Sequence, residues 1–343
     1  MRKLLNTLYV TQPDIYLGLE GENVVARRED KVVLRIPLHN LEGIVTVGYT
    51  GVSPALMGKC AERNISLAFI TKNGRFLASV AGVEKGNVLL RKTQYRVSDN
   101  EEESAAVSRN ILIGKLHNHR WVLERAIRDH ALRLDTEKVK MAAQQIANAT
   151  RQIRETNSLG GLRGIEGEAA SRYFAVFNEL ILQNKEAFVF EGRSRRPPLD
   201  LVNALLSFVY TLITNETSAA LSAVGLDPFV GFLHRDRPGR RSLALDLIEE
   251  LRAPLADRFV LTLINNRQVS PVGFMQKENG AVIMKDETRR VLFTAWQERK
   301  KDTITHPFLK EKISWGLVPH VQALLLARYL RGDLDGYPPF LWK

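Results

Sequence analysis

Near residue 96 the chain changes its hydrophobic rhythm, and that change narrows the folds open to it. Up to Arg96, short runs rich in β-branched residues alternate with turn signals. "TLYV", "IYLGLE", "NVVARRE", "KVVLRIPL" and "GIVTVG" read as strands, with turns at Gln12-Pro13-Asp14, Glu20-Gly21 and Arg28-Glu29-Asp30. Ser53 followed by Pro54 marks a helix start, because a serine side chain satisfies free N–H groups and proline tolerates the first turn. That helix is expected to run to about Arg63. "ISLAFI" and "RFLASVAG" flank Asn73-Gly74, a two-residue hairpin signal. After the polar, acidic "VSDNEEES" the apolar period becomes helical. Ile111, Leu112, Lys115, Leu116, His119 and Val122 run along a long helix ending near His130. "DTEKVKMAAQQIANATRQI" supplies a second, and others are expected to start at Glu166, Leu199, Ser242 and Val318. The expected class is α+β. A small β-rich N-terminal domain spans 1–96, a linker 97–104 and a larger all-α catalytic domain 105–343.

Charge narrows the partners. Lys and Arg total 49 against 38 Asp and Glu, a formal net charge of +11. Such an excess favours polyanions, nucleic acid first and an anionic membrane surface second. No apolar run is long enough to span a bilayer, and the first residues lack the apolar stretch of a secretory signal, so a cytoplasmic location is expected. The single cysteine, Cys60, excludes an intramolecular disulfide and a cysteine metal cluster. Set in "SPALMGKCAERN", it reads as a small buried hydrophobe.

Two acidic positions carry the chemistry. In a helix starting near Glu166, at about 100° per residue, Ala169, Ala170, Tyr173, Val176, Phe177 and Leu180 form one apolar stripe. Glu166 falls inside that stripe and Glu168 nearly opposite. A carboxylate on a buried face is costly unless a cation or metal pairs with it; the bland alternative places Glu166 in a first turn facing water. The second position is "GFLHRDRPGRRSLALDLIEELR", where His234 emerges from an apolar segment into an arginine-rich loop. With Ser242 as N-cap, Asp246 lies at i,i+3 from Glu249 and i,i+4 from Glu250. Helix geometry alone does not choose between the two glutamates, and an acidic helix on a solvated surface would look the same. One histidine with carboxylates from two helices is a mixed N/O set that suits Mg²⁺ or Mn²⁺ when phosphate is the substrate. Arg163, Arg193, Arg195, Arg196, Arg235, Arg237, Arg240 and Arg241 flank these segments, and arginine suits bidentate phosphate contacts. No zinc finger, helix-turn-helix or single-strand stacking platform is evident.

Together these stretches resemble a known family, the CRISPR-associated integrase–nuclease of the spacer-acquisition (adaptation) module. "NTLYVTQPDIYLGLEGENV" and "LHNLEGIVTVGYTGVSPALMGKCAERNISLAFITKNGRFLASVAG" resemble its subtype I-C branch. "GIEGEAASRYF" is similar to the family's glutamate motif, and "GLDPFVGFLHRDRPGRRSLALDLIEELR" to its histidine and acidic-helix motifs. The resemblance covers essentially the whole chain. It implies that Glu166, His234 and Glu249 hold the metal, with Asp246 an adjacent active-site acid and Glu250 left at the surface. In other branches the later acid is often aspartate; glutamate reaches one methylene further. Asn203 and Tyr210 in "LVNALLSFVY" fit the family pattern as supporting residues.

The implied activity is a metal-dependent DNA endonuclease and integrase that inserts spacer DNA into a CRISPR array by 3′-hydroxyl attack on a repeat phosphodiester. The implied partners are double-stranded DNA (spacer precursor and repeat), a second copy of the chain docked through the β-domains, and a small ferredoxin-like partner dimer. No membrane partner is implied. Two rival readings remain: a stand-alone branched-DNA repair nuclease using the same residues, and a non-catalytic basic DNA-binding scaffold whose acids are structural.

Overall fold

A computed structural model describes residues 7–12, 14–48, 50–63, 65–71, 76–80, 88–194 and 197–343. The chain divides into two compact units, one formed by 1–85 with 285–302 and the other by 86–284 with 303–343.

In the first unit strands form where the β-branched runs lie, all of them expected except the two-residue strand at Gly51–Val52. They are β1 (Thr7–Val10), β2 (Tyr16–Glu20), β3 (Asn23–Arg28), β4 (Lys31–Pro37), β5 (Gly43–Val47), β6 (Gly51–Val52), β7 (Ser66–Ile70) and β8 (Phe76–Val80). They build two four-stranded sheets ordered β4-β3-β2-β6 and β1-β5-β7-β8. The β3–β4 hairpin pairs Arg28 with Lys31, leaving Glu29 and Asp30 as a two-residue turn with φ of 46° and 64°. That is the twist a tight hairpin needs, and the short polar Asp tolerates it. Helix α1 (Pro54–Glu62) starts as expected, with Ser53 accepting a hydrogen bond from the Leu56 N–H. It serves as the crossover that lets β5 and β7 pair in parallel. Leu17, Val24, Leu38, Ile44, Leu56, Cys60 and Leu67 fill the core, so Cys60 is the buried hydrophobe expected. Burial pushes its thiol up to about 11. Asn73-Gly74 lies outside the described residues, although β7 and β8 pair antiparallel as that turn requires.

The second unit opens with α2 (Val88–Asp99) and the 30-residue α3 (Glu101–His130). The expected linker at 97–104 is therefore helical. Its acidic run is an N-terminus, where the Asn100 side chain accepts from the N–H groups of Glu102 and Glu103. Glu101, Glu102 and Glu103 complement the helix dipole there. Next come α4 (Thr136–Glu155), α5 (Leu159–Ala175), α6 (Leu201–Ala223), α7 (Ser242–Ile248), a π-helical turn (Arg252–Asp257) and α8 (Arg258–Asn265). A small ribbon, β9 (Phe274–Gln276) with β10 (Val282–Met284), follows. The chain then returns to the first unit as α9 (Asp286–Lys301), where Phe293 stacks on Tyr9 with centroids 4.3 Å apart and Gln297 donates to the Thr7 carbonyl. A second ribbon, β11 (Thr303–Thr305) with β12 (Lys312–Ser314), precedes α10 (Val318–Leu330). The architecture is thus β-rich and then mostly helical, as expected, with two short ribbons added to a half read as all-α. No helix among the described residues is long and apolar enough to cross a membrane.

Candidate active site

Helix α5 begins seven residues earlier than the apolar stripe suggests, with Ser158 capping the Gly161 N–H. Gly160, Gly161 and Gly164 lie in the early part of the helix that the apolar stripe does not reach, and glycine is a poor helix former. Glu166 therefore sits in mid-helix, not in a first turn. Its carboxylate meets the Lys115 ammonium from α3, whose side chain is 6% exposed. The same ammonium lies 2.6 Å from Glu249 Oε2. Glu249 Oε1 is 3.0 Å from the Arg252 guanidinium and 4.0 Å from His234 Nε2. Three expected ligands from distant segments thus converge.

Glu249 immediately follows α7, at its C-terminal cap. Burial alone pushes its carboxyl up, but Arg252, then Lys115 and His234, outweigh burial and hold it well below the usual carboxylate range. Lys115 is raised from its ordinary value: burial works against its charge, while Glu249 and Glu166 more than compensate. Arg252 is raised for the same reason, chiefly by Glu249 against the opposing effect of burial.

Asp246 does not line the cleft. It is fully buried and takes hydrogen bonds from the backbone N–H groups of Phe232, Leu233 and His234. Its Oδ1 lies 2.6 Å from His234 Nδ1, which fixes the imidazole with Nε2 toward Glu249. A carboxylate at Nδ1 selects the tautomer whose Nε2 is free to accept. Asp246 therefore acts through His234. The approach is tight: a Cβ on Gly231 would lie 2.8 Å from Asp246 Oδ2 and from Ser242.

The expectation that Glu250 is a surface residue is overturned. It is fully buried, accepting hydrogen bonds from the Tyr337 hydroxyl, the Gln322 side chain and the Phe340 N–H. Burial raises its carboxyl to about 7. Helix α7 stops at Ile248, and the turn and π-helix that follow it turn Glu250 toward Gln322, Tyr337 and Phe340, which the family resemblance alone did not foresee.

A cleft of about 540 Å³ opens onto Glu166, His234 and Glu249, and Lys115, Arg163, Arg193, Arg235, Arg237, Arg240 and Arg252 also line it. Seven basic side chains thus meet two carboxylates. Of the expected phosphate-binding arginines, Arg241 turns away; it donates to Asn215 Oδ1 at 2.6 Å, and burial lowers it to about 10. Arg195 and Arg196 lie outside the described residues. Arg163 also donates to the Leu233 carbonyl, fixing the start of the histidine loop. Asn203 ties that wall together, accepting from Arg193 and the Ser194 N–H. Tyr210 sits between two guanidiniums, 5.1 Å from Arg193 and 4.7 Å from Arg252, geometries that favour a cation on an aromatic face. Its hydroxyl, with that of Tyr173, donates to buried Asp257. Desolvation raises the Asp257 carboxyl to about 6.

Lys115, His119 and Arg252 were not singled out from sequence. The signal was present for two of them: Lys115 and His119 are four apart on the apolar stripe of α3, the pattern that marked Glu166. His119 is 2% exposed, stacks on Tyr173 with centroids 4.1 Å apart, and is pushed well below its ordinary value by burial and then by Lys115.

Among the described residues, no three His, Cys, Asp or Glu side chains are drawn together at ligating distances. The donors nevertheless suit a hard divalent cation. They are two carboxylates and one oriented imidazole, and Glu249 Oε2 is buried against the Lys115 ammonium.

The family described as CRISPR associated protein Cas1 matches residues 8–298. The chain is 52% identical over 343 residues to a CRISPR-associated endonuclease Cas1 of Chlorobaculum tepidum, covering all of both proteins. Two solved structures share the fold. A casposase bound to integration product has a TM-score of 0.84 at 21% identity, over 98% of this chain and 93% of its own. A chain of a Cas6-RT-Cas1–Cas2 complex has 0.83 at 22% identity, over 100% of this chain and 36% of its own. With the match running through both units and across Glu166, His234 and Glu249, the chain belongs to the CRISPR-associated Cas1 family.

Proposed function

We propose that this protein is a divalent-metal-dependent DNA endonuclease and integrase of the subtype I-C branch, inserting new spacer DNA into a CRISPR array. The carrying observation is the convergence of Glu166, His234 and Glu249 in one arginine-lined cleft. Support also comes from the endonuclease relative and from the casposase bound to integration product. Glu166, His234 and Glu249 would hold Mg²⁺ or Mn²⁺, which when bound stabilises charge building on the scissile phosphate. Asp246 keeps His234 in register, and the cleft arginines grip phosphates so that attacking and leaving oxygens align, the main protein contribution in phosphoryl transfer. A 3′-hydroxyl of the incoming fragment attacks the repeat phosphodiester. A new P–O3′ bond forms, the old one breaks, and the proton of the attacking hydroxyl ends on the departing oxygen. Water in place of that hydroxyl gives nicking. Double-stranded DNA is the substrate, and the protein works as a homodimer on a small ferredoxin-like partner dimer, in keeping with the Cas1–Cas2 complex among its structural likenesses.

The test is strand transfer on labelled branched DNA with Mn²⁺, comparing wild type with His234→Ala and Glu249→Ala at matched thermal stability. A joined strand from wild type alone is expected. Nicking without joining, even with the partner added, would favour a stand-alone repair nuclease. Equal DNA binding by all three with no reaction would make the acids structural.

A further inference from the structure

We propose that Lys115 is the resident counter-cation of the metal-free site and that a divalent ion must displace its ammonium in order to bind. The inference deepens the metal reading above and rests on it. Lys115 is 5% exposed, yet it projects from α3 between carboxylates carried by two other segments. Glu166 Oε1 and Glu249 Oε2 both direct an oxygen at its Nζ within hydrogen-bonding distance. An ion joined to both carboxylates by bonds of about 2.0–2.1 Å would need the same space. Ammonium and metal therefore exclude one another. Charge points the same way, since Arg252 already holds Glu249 Oε1 at 3.0 Å. With Lys115 in place, two cations neutralise the two acids and little net negative charge is left to attract a third. The lysine stem is flexible enough to swing aside, and the open cleft gives the ammonium somewhere to go. The device keeps two converging carboxylates compensated when no metal is bound, and sets metal affinity lower than the donors alone would give.

Two measurements test it on the full-length protein without DNA. In the first, Mn²⁺ binding is titrated by calorimetry for wild type, Lys115→Met and Lys115→Arg. The Met variant is expected to bind Mn²⁺ at least tenfold more tightly than wild type, and the Arg variant no more tightly. If folded Lys115→Met binds Mn²⁺ no better than wild type, the displacement idea is overturned while the metal reading stands. If wild type takes up no Mn²⁺, the metal reading itself fails and takes this one with it. The second measurement needs no variant. Acetylation of Lys115 by an amine-reactive ester, read by peptide mass spectrometry, should rise several-fold when saturating Mg²⁺ is added after EDTA treatment. Unchanged protection of Lys115 at saturation would overturn the proposal even if the Met variant fails to fold.

Discussion

Asp246 and Asp257 are both buried acids near the same cleft, and they are held by opposite means. Asp246 is surrounded by three backbone N–H donors and an imidazole. Removing its carboxylate in Asp246→Ala strands those buried donors, each costing about 1–3 kcal/mol, so a large loss of stability is expected in urea or thermal melts. Asp246→Asn keeps the shape but cannot hold the same imidazole tautomer, and strand-transfer activity should fall about 10–100-fold while the melt moves less than for Ala. Asp257 accepts from two phenol hydroxyls, and burial outweighs these and the nearby Arg252 and Arg193 to raise its folded carboxyl to about 6. A raised carboxyl means that the folded state holds the proton more tightly than the unfolded chain. Its contribution is therefore complete below the unfolded value of about 3.9 and is lost as pH rises through about 6. Comparing wild type with Asp257→Asn by urea melts between pH 4 and 7, the wild-type advantage should shrink by about 2–3 kcal/mol over that window. An advantage that grows with pH would contradict this assignment. The sequence made Glu166 legible, because a carboxylate in an apolar stripe demands a partner. Glu250 was not legible, because the resemblance left it at the surface and nothing in the acidic run names Tyr337, Gln322 and Phe340 as its partners.

At the scale of elements, α3 organises the catalytic unit. Its Asn100 cap and acidic first turn were read as a linker, since a run of Asp, Asn, Glu and Ser is the signature of both a loop and a helix start. Asn100→Ala should cost about 1 kcal/mol in thermal or urea melts, which a disordered linker would not show. Further along, Gly114 permits a close approach: a Cβ there would lie 2.9 Å from Glu250 Oε2 and 3.0 Å from Pro339. Gly114→Ala gains helix propensity yet should destabilise by about 1–3 kcal/mol through overpacking. A stabilised variant would show that the C-terminal segment yields easily. That segment is pinned to the same helix, with Asn118 donating to the carbonyls of Glu250 and Phe340 and accepting from the Trp342 N–H. None of this could be read from periodicity, which reports which face of a helix is buried but not what buries it.

For the whole molecule, the proposed function places the response to salt on the cleft arginines. If several of Arg163, Arg193, Arg235, Arg237 and Arg240 each neutralise one phosphate, the logarithm of DNA affinity should fall steeply and linearly with the logarithm of salt concentration, and each Arg→Ala change should lessen the slope by about 1. The class of fold was legible because strand and helix periods occupy different stretches of chain. The grouping of α9 with the first unit was not, because an amphipathic helix does not name the core it joins. That return has a consequence in time. During synthesis, Tyr9 and Thr7 leave the ribosome about 280 residues before Phe293 and Gln297 exist to cover them. At about 5–20 residues per second, that interval lasts on the order of 15–60 s. A strand made early is thus among the last to be finished, and until then the β1 flank is open to chaperones, to proteases or to another nascent copy.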